Sequence, residues 1–262
     1  MNIFLFETKR GLKSVLIWTV SMSAAVFIFV QMLPAFLDQA SEFSKYLEGY
    51  DKLLEIFGVS ADSFTTATGY FAYLMTYMSI CAAVFGMSAG MLTFSAEFRL
   101  KTSDFLLTKP VKRTEVFVAK IGSVAVRAIL LDVLFAMFSY AALSLQAEVN
   151  LAAFVLMMLA MVILQFNFVF MGVLLSVVMR KIKAVMPITM GITFGFFILT
   201  AMERVFDKEF ITYILPFSQF DFNEILADTS LDLLHTLACL GFTIISGILA
   251  WLMFVKKDIH AV

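Results

Sequence analysis

Few residues of this chain have the type and spacing that enzymes use for chemistry. Its two histidines, His235 and His260, form no H-E-x-x-H zinc motif, and its two cysteines, Cys81 and Cys239, form no C-x-x-C pair. The sequence also has no G-x-x-x-x-G-K-[ST] run, so it has no phosphate-binding P-loop of its own. We therefore predict no catalytic residue, no bound metal and no cofactor held by this chain.

Two charged residues, Arg127 and Asp132, lie inside a long apolar stretch. A charge at mid-membrane costs roughly 2.5–3.5 kcal/mol on insertion scales, so each needs a partner or a water-lined cavity. Five residues apart on a helix, they point about 140° away from each other and make poor partners. We expect one of them to line a substrate path or a subunit seam, or else each to pair within the chain. Lys120 lies nearer the boundary, can reach the interface, and is expected to have no special role.

The composition indicates a chain dissolved in lipid. Of its 262 residues, 61% are hydrophobic and 15% are charged, whereas an average soluble domain has about 25% charged residues. This excludes both a soluble globule and a disordered chain. A net charge of -1 gives no overall basic field for nucleic acid.

Six apolar stretches are long enough to cross a bilayer as helices, which takes about 20 residues each. Lipid offers no partner for unpaired backbone groups, and the short alternating segments of a barrel are absent, so we predict an all-α polytopic membrane protein. The spans are predicted at about 15–37, 70–94, 117–145, 151–179, 184–202 and 233–255. They form one transmembrane domain over residues 1–262, and the first is a retained anchor rather than a cleaved signal.

The basic residues predict the orientation of these spans. Fourteen of the 19 Lys and Arg residues fall on the side that holds both termini, the loop between spans 2 and 3 and the loop between spans 4 and 5. Four fall on the opposite side. By the positive-inside rule, both termini are predicted to be cytoplasmic.

Several segments outside the spans carry their own predictions. Residues Met1–Lys13 mix aromatic and basic residues and suit a helix lying in the cytoplasmic interface, or simply a positive flank for span 1. The outer loops 38–69 and 203–232 are acidic, which most simply indicates a solvated face. The second of them predicts two short helices broken at Pro216 that fold back onto the spans. Two small-residue spacings, Gly86-x-x-x-Gly90 and Gly191-x-x-x-Gly195, allow close helix packing, most simply within one subunit.

The most specific stretch is residues 96–120, in the predicted cytoplasmic loop after span 2. Thr102 or Ser103 can cap a short helix with Asp104 in its first turn, and Pro110 ends that helix. The helix carries an apolar ridge formed by Phe105, Leu106 and Leu107. Such a ridge suits a groove in a partner protein, or else burial against the membrane surface or the chain itself.

This stretch resembles the hallmark of the type 2 ABC exporter permeases. The similarity lies in Glu97, the run K-T-S-D-F-L-L-T-K-P-V-K-R at residues 101–113, and Lys120 at the start of span 3. The six-span layout and Pro216-Phe217 before span 6 also resemble that family. The departures from its usual pattern are Lys101 for Gly, Asp104 for Glu, Thr108 for Ser and Lys112 for Ser.

The resemblance implies a coupling helix at about Thr102–Lys109 that docks in a cleft of a separate ATP-binding subunit. The residues it assigns to this contact are Glu97, Arg99, Thr102, Asp104, Phe105, Leu106, Leu107, Pro110 and Arg113. A second, smaller contact is assigned to Arg180, Lys181 and Lys183. ATP and Mg would be bound by two copies of the ATPase, and this chain would pair with a second permease, identical or not.

The implied function is export of an amphipathic or hydrophobic substrate, such as a peptide, antibiotic or lipid, across a bacterial plasma membrane. The alternative is a stand-alone secondary transporter or channel that uses Arg127 and Asp132. That alternative requires polar residues converging at mid-membrane, where Gln165 and Asn167 are the further candidates.

Overall fold

The structure, a computed structural model, describes residues 3–38, 66–100, 112–179, 182, 184–206 and 212–256. Within these ranges the regular secondary structure is helical, with no strand. The helices are α1 Ile3–Val30, α2 Leu33–Asp38, α3 Ala67–Leu100, α4 Arg113–Ser144, α5 Leu151–Val178, α6 Val185–Phe206, α7 Phe222–Asp228 and α8 Leu233–Lys256.

Six of the helices in the described ranges are long and apolar enough to cross a membrane, which confirms the predicted all-α polytopic fold. The spans coincide with α1, α3, α4, α5, α6 and α8. Several helices are longer than the apolar stretches that predicted them, because a helix continues past the bilayer while its side chains become polar. Thus α3 runs on to Leu100, and α4 begins at Arg113.

The centre of the bundle is α3. In its most apolar stretch 89% of the residues are buried, against 17% in α8 at the periphery. Its most extensive contact is with α5, and it also packs against α1, α4, α6 and α7. A displacement of α3 would therefore reach most of the other helices.

Glycines allow α3 and α5 to pack backbone against backbone. A Cβ atom on Gly86 would lie 2.8 Å from the Gln165 carbonyl oxygen, and one on Gly90 would lie 2.5 Å from that of Val169. A Cβ on Gly172 would overlap the Met87 carbonyl from the other side. The Gly86-x-x-x-Gly90 spacing therefore serves packing within this subunit.

The second glycine spacing has a different environment. A Cβ on Gly191 or Gly195 of α6 would meet nothing within 4 Å. This face of α6 therefore has no close neighbour among the described residues.

The N-terminal segment differs from the prediction of a separate interfacial helix. Residues from Ile3 onward are helical, but they continue without a break into span 1 as α1. One stripe of buried positions runs along the whole helix: Glu7, Gly11, Val15, Thr19, Met22, Val26 and Val30. This stripe packs α1 along α4. The hydropathy pattern did not reveal it, because a charged residue and a glycine form its first two positions.

The segment before α8 folds back onto the other helices, as predicted. Phe217 is buried, with its ring 5.2 Å from that of Phe168 and 5.9 Å from that of Phe197. Of the two short helices predicted on either side of Pro216, the second is found as α7. Pro216 lies in a run of turns over residues 213–219; Thr212 before them is helical, and residues 207–211, where the rest of the first predicted helix falls, lie outside the described residues. Asp221 caps α7 by accepting a hydrogen bond from the backbone N–H of Asn223 at 2.8 Å.

We predict that Gly172→Ala lowers the stability of the protein, whereas Gly191→Ala does not. The added methyl group at position 172 would overlap the Met87 carbonyl, and such overpacking typically costs about 1–3 kcal/mol. At position 191 the methyl group would meet no atom of the described residues within 4 Å. Thermal unfolding of the two purified variants in the same detergent compares them directly. Equal unfolding temperatures would contradict the close α3–α5 packing.

Candidate functional site

A cluster of buried polar side chains joins three helices at one end of the bundle. This end, where α1 and α4 begin and α3 and α8 end, is called the basic end here because of its Lys and Arg residues. The members of the cluster are Glu7 of α1, Thr93 of α3, and Lys120, Ser123 and Arg127 of α4. Each of them is at most 7% exposed. We refer to these five residues as the polar lock.

Lys120 is the most deeply buried cation of the polar lock, at 1% exposure. Its Nζ donates a hydrogen bond to the Thr93 carbonyl oxygen at 2.6 Å and lies 3.9 Å from Glu7 Oε1. It also lies 5.5 Å from the centre of the Phe94 ring, a cation–π distance. Lys120 thus links α4 to both α3 and α1. The expectation that it reaches the interface without a special role was wrong.

Arg127 extends the polar lock one step deeper into the bundle. Its Nε donates to the Ser123 carbonyl oxygen at 3.1 Å, and its Nη2 donates to Thr93 Oγ1 at 2.6 Å. A Cβ on Gly11 of α1 would overlap this guanidinium group, so the glycine makes the space that Arg127 occupies. Arg127 therefore pairs within the subunit, which is the second of the two sequence-based expectations.

Glu7 provides the carboxylate of the polar lock. One of its oxygens faces Lys120, and the other lies 3.8 Å from an Arg10 guanidinium nitrogen. Because Glu7 is 5% exposed, these two cations offset the cost of burying its charge. The sequence analysis did not select Glu7. The signal available was the four-residue spacing that runs from Glu7 to Gly11 and from Gly11 to Val15.

A group of aromatic rings ties the same end of the bundle to α8. Phe94 of α3, Phe117 of α4 and Phe254 of α8 lie with ring centres 5.2 to 5.6 Å apart. Arg113, the first residue of α4, donates to the Val255 carbonyl oxygen at 3.1 Å. The ends of α3 and α4 are therefore fixed on both sides of the connection between them.

The predicted coupling segment is that connection. Glu97 and Arg99 belong to the last turn of α3, and Arg113 begins α4. The other predicted contact residues lie outside the described residues: Thr102, Asp104, Phe105, Leu106, Leu107, Pro110, Arg180, Lys181 and Lys183. The structure thus describes the helices that enter and leave the segment, and the polar lock that joins them.

Asp132 occupies a different environment from Arg127, as the helical spacing predicted. It is 4% exposed and lies beside Gln165 of α5. Asn167, two residues further along α5, donates from Nδ2 to the Cys239 carbonyl oxygen of α8 at 3.3 Å. Arg127 and Asp132 therefore do not form one site.

The opposite end of the bundle carries acidic residues in and around the segment before α8. Arg204 lies 3.1 Å from Asp221 Oδ2, which holds the end of α6 to this segment. Asp232 accepts a hydrogen bond from the backbone N–H of His235 at 2.9 Å, and this bond lowers the pKa of Asp232 below its ordinary value. No group of three or more His, Cys, Asp or Glu side chains in the described ranges is placed to hold a metal ion.

These features define a class: a multi-pass helical membrane protein in which buried charges fix the ends of two spans, on either side of the segment that connects them. A family model described as ABC-2 family transporter protein matches residues 1–259. The chain therefore belongs to the ABC-2 family, whose permeases are transmembrane components of ABC exporters and work with an ATPase partner. No curated protein sequence matches the chain.

We predict that Glu7→Gln destabilises the protein, because it removes the carboxylate charge beside the buried Lys120. Leaving a buried group without its partner costs roughly 1–3 kcal/mol. Glu115→Gln is the matched control, since Glu115 is exposed in the first turn of α4. Thermal unfolding of both variants in detergent measures the difference. Equal losses in the two variants would show that the Glu7 charge in the polar lock contributes nothing to stability.

Proposed function

We propose that this chain is the permease of an ATP-driven exporter and that a separate ABC ATPase binds the segment between α3 and α4. The observation that carries the proposal is the polar lock, which joins the two helices that flank this segment. The sequence has no P-loop of its own, so an energy source on another chain fits both the sequence and the family.

The polar lock would let a push on the segment act on three helices at once. Residues 101–111 are attached directly to α3 and α4, and Glu7 and Lys120 connect these helices to α1. Because α3 is the central helix, its displacement is passed to α5 and α6 through close packing. We propose that α1, α3 and α4 move as one body when the ATPase closes on ATP.

The contact with the ATPase is assigned to a coupling helix at Thr102–Lys109. In this proposal the ridge of Phe105, Leu106 and Leu107 enters a cleft of the ATPase. Glu97, Arg99 and Asp104 fix the angle of the helix, and the loop of Arg180, Lys181 and Lys183 makes a smaller second contact. The basic end is then the cytoplasmic end, which agrees with the positive-inside rule.

The rest of the assembly follows from the same proposal. Two copies of the ATPase bind ATP and Mg, and this chain pairs with a second permease in a bacterial plasma membrane. The substrate is amphipathic or hydrophobic, with a peptide as the first candidate and an antibiotic or lipid as the others. Since α5 has no Asp, Glu, Lys or Arg and α3 has none before its last turn, the central helices suit such a substrate better than an ionic one.

The test is purification of the tagged chain from its own host in mild detergent, with mass spectrometry of the proteins that accompany it. We expect a soluble ATPase in stoichiometric amount with the unaltered chain. In Leu106→Asp we expect its recovery to fall at least about tenfold, as for the loss of a central apolar contact worth 1.4 kcal/mol or more.

Leu145→Asp is the matched control, because Leu145 is 78% exposed at the far end of α4. It should retain the ATPase. A chain that is recovered at normal yield without an ATPase would contradict the proposal. Loss of the ATPase in both variants would show that the position of the substitution does not matter, and would contradict the coupling helix.

A further inference from the structure

Two polar side chains in the middle of the bundle have no hydrogen-bond partner among the described residues. Asp132 of α4 is 4% exposed and Gln165 of α5 is completely buried. Neither carboxyl oxygen of Asp132 and neither polar atom of the Gln165 amide makes a hydrogen bond in the described part of the chain. The two side chains nevertheless lie beside each other, where α4 contacts α5.

Both residues lie near mid-membrane. Asp132 is 19 residues from the start of α4 and 12 from its end, which places it about 28 Å and 18 Å from the two ends of the helix. Gln165 is 14 residues from the start of α5 and 13 from its end, about 20 Å from each. The hydrocarbon core is about 30 Å thick, so bulk water does not reach this level.

Among the described residues, the packing around the pair supplies no charge that would balance a carboxylate. Gln165 packs on Gly86 of α3, and the neighbouring Phe85 ring lies 6.1 Å from that of Trp18 in α1. Thr19, next to Trp18, has a buried hydroxyl that also has no partner among the described residues.

The titratable groups on the helices around the pair are few. From Ser14 to Val30, α1 has none, and α5 has none along its length. The nearest along α3 are Cys81 and Tyr77, and Cys239 Sγ of α8 accepts a hydrogen bond from Asn167. Arg127 of α4 is turned about 140° away and bound to Ser123 and Thr93.

An ionised carboxylate in this position would have the Gln165 amide beside it but no counter-ion among the described residues, which is a costly state for such a group. A neutral carboxylic acid has one O–H donor and one carbonyl acceptor, and a primary amide likewise has an N–H donor and a carbonyl acceptor. The two groups can therefore close a ring of two hydrogen bonds that leaves no charge in the membrane.

We propose that Asp132 and Gln165 form a proton-binding site in which Asp132 carries a proton at neutral pH. The proton comes from water and stays on a carboxyl oxygen of Asp132. That O–H donates to Gln165 Oε1, and Gln165 Nε2 donates to the other carboxyl oxygen. The ligand of the site is a proton, and the pair clamps α4 to α5 without an ion pair. This proposal does not depend on the identity of the ATPase or of the substrate.

The test is infrared spectroscopy of the full chain in lipid bilayers at neutral pH. We expect the carbonyl stretch of a protonated carboxylic acid, and we expect this band to disappear in Asp132→Asn. Asp228→Asn is the matched control, since Asp228 is exposed at the end of α7 and should leave the band unchanged. Aspartate labelled with ¹³C at the side-chain carboxyl should shift the band in the unaltered chain, which assigns the band to an aspartic acid even if Asp132→Asn fails to fold. Asp132 is the one buried aspartate among the described residues.

A second variant tests whether the Gln165 amide is the hydrogen-bond partner of the protonated Asp132. In Gln165→Leu the acid loses its hydrogen-bonded amide, so we expect the band to move to the higher frequency of a free acid. A band that does not move in Gln165→Leu would contradict the acid–amide pair. The absence of any aspartic acid band at neutral pH, or a carboxylate signal that depends on added Na⁺ or K⁺, would overturn the proposal in favour of an ionised site.

Discussion

A cation that is buried between the helices of a membrane protein must find its acceptors within the protein, because lipid provides none. Here that constraint is met by one residue of the central helix. The carbonyl oxygen of Thr93 accepts a hydrogen bond from Lys120, and its hydroxyl accepts one from Arg127. Both cations belong to α4, so their burial holds α4 against α3. Glu7 then brings α1 into the same arrangement through Lys120.

The polar lock is placed where it would transmit force between the α3–α4 connection and the rest of the bundle. It lies directly beside the connection between α3 and α4, the stretch whose sequence most resembles the ATPase-coupling segment of ABC exporters. The helix that it holds is also the one most deeply buried, and this helix packs on α5 through glycines that leave little freedom to slide. A local force at the basic end would thus be carried into the core of the bundle rather than absorbed at its edge.

Much of this fold could be predicted from the sequence, because the length and hydropathy of a span are dictated by the bilayer. All six spans and the separation of Arg127 from Asp132 follow from this and from helical geometry. The roles of Lys120 and Glu7 could not be predicted in this way, because their neighbours come from three helices that are distant in sequence. A lysine that reaches the interface and a lysine buried against Thr93 look the same in one sequence. Likewise, the absence of a side chain at Gly11 is seen to leave room for Arg127 only when α1 is placed beside α4.

The central claim is that α1, α3 and α4 act as one body at the basic end, and a cross-link between α1 and α4 tests it most directly. Phe4 and Gly122 are suitable positions, since a Cβ on Gly122 would lie 3.5 Å from the Phe4 ring. In a chain without Cys81 and Cys239, Phe4→Cys and Gly122→Cys would be joined by a short bifunctional thiol reagent within the intact transporter. The account predicts that ATP hydrolysis and export continue at close to their rates before cross-linking. Loss of export on cross-linking, restored when the link is cleaved, would show that α1 and α4 must separate at this end and would contradict the account.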